Sequence, residues 1–106
     1  MAQFDVHRNT GRLQESVPFV VVVQSAQFDA YRRRVVAPLV RSSSLQVPLM
    51  RVLNPRFTIE DVAVVLHPLD LVSMPADQLG ERVGSLAESA EAIVCALDEV
   101  FTRAWR

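Results

Sequence analysis

The sequence predicts a mainly β fold closed by one C-terminal α-helix, with the helix packed on an antiparallel sheet. Three observations carry that expectation. Two short β-rich runs, residues 56–59 and 62–66, flank the polar pair Glu60-Asp61, the pattern of a hairpin with a tight connection. A second run, Phe19-Val20-Val21-Val22-Val23, is apolar throughout and reads as a strand buried on both faces. From Leu86 onward the apolar residues recur at three- and four-residue spacing, which is the period of a helix.

Residues 3–6 form the first expected strand, followed by a turn at 8–12, where Asn9 and Gly11 tolerate unusual backbone angles. Residues 18–24 form the second strand and residues 34–40 the third. Pro38 brings no amide donor to a ladder, so this third strand is expected at an edge or a bulge. Residues 41–48, with three consecutive serines, read as a loop. Residues 49–53 suit either a strand or a helical turn, with the strand preferred. The hairpin follows and ends at Pro68, and a loop closing on Met74-Pro75 comes next.

In the last segment Leu86, Ala90, Ile93, Leu97, Val100, Phe101, Ala104 and Trp105 share one helical face. Ser85 followed three residues later by Glu88 has the form of a capping box. Glu88 and Glu91 near the start and Arg103 and Arg106 near the end complement the helix dipole. Cys95 falls on this pattern as a small thiol expected to be buried or half-buried.

With 106 residues, 50% of them hydrophobic, the chain is long enough for one domain with a modest core. Its longest apolar run, 17–23, is interrupted by Pro18 and is too short to span a bilayer. No charged segment precedes an N-terminal apolar stretch, so a soluble cytoplasmic protein is expected, without a membrane partner. The net charge is −1, and all 11 basic residues are arginines; a chain that coats nucleic acid carries a basic excess, so no direct nucleic-acid binding is expected. The run Arg32-Arg33-Arg34 is read as a solvated stretch, or as cations paired with Asp29 and nearby acids.

Catalytic constellations are missing from the pattern. His7 and His67 are isolated and lack metal-ligand spacing. Glu60-Asp61 and Asp98-Glu99 are sequence neighbours that point apart, Ser42-Ser43-Ser44 has no base in register, and Gly11, Gly80 and Gly84 form no phosphate loop. A lone cysteine has no disulfide partner. The residues describe a protein that acts by binding, with no cofactor, metal or catalytic residue.

Four stretches then stand in a telling order: Gln3-Phe4-Asp5-Val6; the apolar strand closing on Val23-Gln24-Ser25; Arg33-Arg34-Val35-Val36-Ala37-Pro38-Leu39; and the hairpin from Asn54-Pro55 through Leu66 with its Met74-Pro75 sequel. Together they resemble the CcdB family, small toxins that poison bacterial DNA gyrase, over most of the chain. The resemblance implies a single toxin domain spanning 1–106 with an SH3-like barrel of the CcdB–MazF type. It also implies a homodimer that wedges between the two A subunits of DNA gyrase and traps the cleavage complex. A CcdA-like antitoxin, folding a disordered segment onto the toxin, is the implied second partner.

In that family an aromatic residue near the chain end is the energetic anchor. Here Phe101 matches the family phenylalanine, but Thr102, Arg103 and Ala104 follow in place of Trp-Gly-Ile, and tryptophan comes only at Trp105. The remaining family contact positions fall on Gln27, Phe28 and Asp98. Trp105 lies four residues after Phe101, so it either continues the core-facing stripe or swings out as the anchor. The altered tip leaves open a degenerate homologue that no longer poisons gyrase. A MazF-like endoribonuclease is the enzymatic alternative, although the Gly- and Pro-rich N-terminal loop expected of that family is not present.

Overall fold

The computed structural model describes residues 2–45 and 49–101. Among these residues seven strands form one curled antiparallel sheet: β1 (Asp5–Arg8), β2 (Phe19–Val22), β3 (Arg33–Arg41), β4 (Arg56–Ile59), β5 (Val62–Leu66), β6 (Val72–Pro75) and β7 (Arg82–Ser85). An α-helix, α1 (Ala90–Phe101), follows them. The expected mainly β class with a C-terminal helix is the observed one. The path through the sheet runs β4-β5-β3-β2-β1-β7, and β6 pairs separately with β3.

The nine-residue β3 organises this arrangement. One side pairs with β2, whereas the other is shared: residues 33–36 pair with β6 and residues 39–41 with β5. Pro38 is therefore in an interior strand with unbroken register to β2, and not at an edge or a bulge as expected. Its carbonyl accepts from the His67 amide at 3.1 Å. The amide and carbonyl of an antiparallel residue point to one side, so the missing N–H falls in the gap between β6 and β5. What the pair forgoes is the return bond to His67 O, which accepts instead from the Asp70 amide at 3.2 Å.

Alternation along β2 sends Phe19 and Val21 into the main core with Val6, Leu39, Val64 and Leu66. Val20 and Val22 enter a second cluster with Val36, backed by Met74 and Leu79. The apolar run is thus buried on both faces, as its composition predicts. Ile93 and Ala96 close the main core from α1, with Leu86, Ala90 and Leu97 beside them.

The hairpin of β4 and β5 has the predicted bounds. Both turn residues take positive φ, Glu60 at 49° and Asp61 at 66°, as a two-residue type I′ connection requires. Glu60 also meets Arg8 at 2.8 Å. Arg8 bonds Glu81 as well, and the two carboxylates, Glu81 foremost, raise its pKa.

Elsewhere the expectations need correction. The first strand begins at Asp5 because Phe4 has φ 70°, a left-handed backbone that interrupts extended structure. Residues 51–54 are a turn and not a strand. Asn54 closes it: its amide donates to Met50 O at 2.8 Å, and its Oδ1 accepts from the Met50 amide at 3.0 Å. Strands β6 and β7 carry no strand signal in the sequence and are additions to the expected set. Ser85 Oγ accepts from the Ala87 amide at 3.1 Å, so the helix is entered through a 3₁₀ turn at Ala87–Ser89. Cys95 is exposed, since it lies about 200° around the helix from buried Ile93.

Candidate partner-binding site

The chain after β2 turns through Gln24 and Ser25 into a 3₁₀ turn, Ala26–Phe28, whose start is capped by Ser25 Oγ accepting from the Gln27 amide at 3.4 Å. The following residues return to β3. This loop carries two exposed aromatics, Phe28 (43% exposed) and Tyr31 (67%). Their rings meet edge to face, centroids 5.8 Å apart at 80°, the arrangement favoured by the ring quadrupoles.

Opposite the loop lies the last described turn of α1. Phe101 is 65% exposed there, one turn beyond half-buried Leu97. Phe28, Tyr31, Leu97 and Phe101 line one open, mainly apolar groove of about 470 Å³, floored by Val23 and Val35. Arg33 stands at its rim, its Nε donating to Ser73 Oγ at 2.9 Å and its Nη2 to Ser73 O at 2.6 Å. Exposed aromatics gathered on one concave patch are what a protein-binding surface needs.

The sequence-predicted site residues divide clearly. Phe28 and Phe101 come together in this groove. Gln27 is exposed on the same loop, and Asp98 is exposed on α1, but neither lines it. Thr102, Arg103 and Trp105 lie outside the described residues. The sequence assigns no partner-binding role to Tyr31, Gln24 or Arg34. Tyr31 has a signal, an aromatic three residues after Phe28. The other two gain their place only through the loop's shape.

Arg34 departs most from its expected solvated state. It is 6% exposed, with Nε 3.9 Å from Asp29 Oδ1, so the expected pairing with Asp29 is present while solvation is not. His7 is likewise buried, its Nδ1 2.8 Å from Gly80 O and so the donor. His67 lies 3.4 Å from Asp70. Among the described residues no three His, Cys, Asp or Glu side chains gather as metal ligands would, and no helix is long and apolar enough to cross a membrane.

A protein-family model described as CcdB protein matches residues 3–102. Among solved structures, an endoribonuclease in complex with its cognate antitoxin from Mycobacterial species is similar, with a TM-score of 0.74 at 14% identity. That likeness covers 100% of this chain and 99% of that one, and at such low identity it is a likeness of fold. A comparison with curated proteins finds no match.

Proposed function

The chain belongs to the CcdB family, and from that premise we propose that it is the toxin of a toxin–antitoxin module that binds the A subunit of DNA gyrase and traps the cleavage complex. The observation carrying this reading is the meeting of Phe28 and Phe101, two family contact positions far apart in the chain, in one open apolar groove. The working species is a cytoplasmic homodimer, neutralised by a CcdA-like antitoxin. Catalysis is not part of the reading: the chain works by occupying a gyrase surface, with Phe28 and Phe101 filling a desolvated pocket. Aromatic anchors of that kind are worth about 2 kcal/mol or more each on truncation. Gln27 and Asp98 flank the patch. Further gyrase contacts are assigned to Thr102, Arg103 and Trp105, the indole of Trp105 being suited to a gyrase arginine.

Growth arrest on expression without antitoxin, rescued by a gyrase variant lacking the contact arginine, is the expected result. Killing that persists in the rescued background overturns gyrase as the target. In vitro, gyrase-dependent DNA cleavage with the native chain beside Trp105→Ala separates an active poison from a degenerate homologue, for which neither protein would promote cleavage.

One observation favours a second reading, the endoribonuclease. It is the fold shared with a solved endoribonuclease along the whole chain. RNA cleavage by the purified protein, without gyrase, would establish it.

A further inference from the structure

We propose that Gln24 and Arg34 are positioning residues, a two-sided clamp that locks the loop between β2 and β3 in the shape that presents Phe28 and Tyr31 to the protein partner. The role in recognition rests on the groove being the partner-binding site.

The loop leaves the sheet, so its carbonyls need donors elsewhere. Its own amides serve Ser25 O, Ala26 O and Phe28 O, and two side chains supply further donors. Gln24 Nε2 donates to Phe28 O at 3.3 Å and to Arg33 O at 3.1 Å, while its Oε1 accepts from the Val35 amide at 3.1 Å. Arg34 approaches from the other end of the loop. Its Nη1 donates to Tyr31 O and to Arg33 O, the latter at 3.0 Å, and its Nη2 donates to Asp29 O at 2.7 Å. The carbonyls of Phe28, Asp29, Tyr31 and Arg33 are all held this way, and both aromatics that form the edge-to-face pair are among them.

A buried guanidinium is a poor device for stability alone, because desolvation offsets much of what its bonds return. It is a good device for fixing a shape, since a planar fork with five donors can meet several carbonyls at once. A lysine at the same position would keep the charge without that fork. Ordering a binding loop in advance removes an entropy cost from association, and this loop carries exposed aromatics that the sheet itself does not need.

The test uses Arg34→Lys and the milder Gln24→Ala, with two readouts. The first is amide hydrogen exchange in the free protein. Phe28, Asp29 and Tyr31 amides, which bond Ser25 O, Ala26 O and Phe28 O, should exchange about tenfold faster or more in either variant while amides of β2 and β5 keep their protection. The second is affinity for the purified A subunit of DNA gyrase, expected to fall about tenfold in Arg34→Lys but under about threefold when Phe28→Ala is already present, because the clamp acts through that ring.

Unchanged loop exchange in both variants overturns the clamp. Exchange that rises equally across the sheet overturns it too, by making the residues general structural supports. A faster loop with unaltered gyrase affinity overturns the positioning role. Failure of the unmodified chain to bind gyrase overturns the functional reading and the role toward gyrase, and the exchange result still decides the clamp.

Discussion

Phe28 and Phe101 line the same groove, although one lies just beyond β2 and the other on the last described turn of α1. The sheet brings them together, because β3 anchors the returning loop while Ile93 and Ala96 fasten the helix over the same core. Phe101 is largely exposed and Phe28 partly so, and neither belongs to the core, so neither adds much to the folded chain. Their truncation should separate binding from stability. Phe28→Ala and Phe101→Ala should each weaken gyrase binding by about 2 kcal/mol or more, roughly thirtyfold. Unfolding free energies from urea titration should move by no more than about 0.5 kcal/mol. Titration calorimetry beside denaturant melts reads both quantities, and an equal loss in both would assign the rings to the core.

The hairpin turn carries correctable strain. Asp61 holds φ 66° at the second central position of the turn, where type I′ geometry favours glycine. Asp61→Gly should stabilise the protein by about 0.5–1 kcal/mol, since relief of the left-handed backbone outweighs the added chain freedom. Glu60→Gly is the instructive comparison. It relieves φ 49° but removes the exposed pair with Arg8, so its gain should be smaller. A thermal melt should show Asp61→Gly raising the midpoint by about 2–8 °C for a domain this size.

That turn also shows what is legible in one dimension. A hairpin with adjacent strands is a local structure, so alternation and two polar residues suffice to place it. Helix α1 is local too, and its period names Ile93 and Leu97 correctly. By contrast β6, with Pro75, and β7, with Gly84, have weak strand propensity of their own. They become strands by pairing with β3 and β1 across long stretches of chain, and no short window holds that information. The same distinction divides the groove. Phe28 and Phe101 are found through a family resemblance, whereas Gln24 and Arg34 act on carbonyls whose positions exist only once the loop has formed. A run of three arginines looks solvated when read along the chain. The fold buries the third.

Gly80 marks a close approach between segments. An ideal Cβ placed there would lie 2.5 Å from Arg8 O and 3.0 Å from Thr10 Cγ2. The backbone neighbour cannot yield easily, because the Arg8 amide donates to Glu81 O at 2.9 Å and the Gly80 carbonyl accepts from His7 Nδ1. Gly80→Ala should therefore destabilise by about 1–3 kcal/mol through overpacking. Gly84→Ala is the control, since a Cβ at that position would meet nothing within 4 Å. A calorimetric scan should show a clear drop in midpoint for the first and little change for the second.

Neighbouring residues on α1 offer the sharpest contrast between scaffold and surface. Ile93 is fully buried, whereas Val94 is 53% exposed. Ile93→Ala removes atoms from a packed site and should cost about 2–5 kcal/mol. Val94→Ala trades a β-branched residue for the best helix former and should be neutral or slightly stabilising, within about 0.5 kcal/mol. The consequence reaches the groove, because Ile93 fixes the helix that carries Leu97 and Phe101. With the protein still folded at low temperature, Ile93→Ala should also lower gyrase affinity by loosening the helix end, whereas Val94→Ala should leave it unaltered. Full affinity in a measurably destabilised Ile93→Ala protein would mean that the aromatic end binds without support from the core.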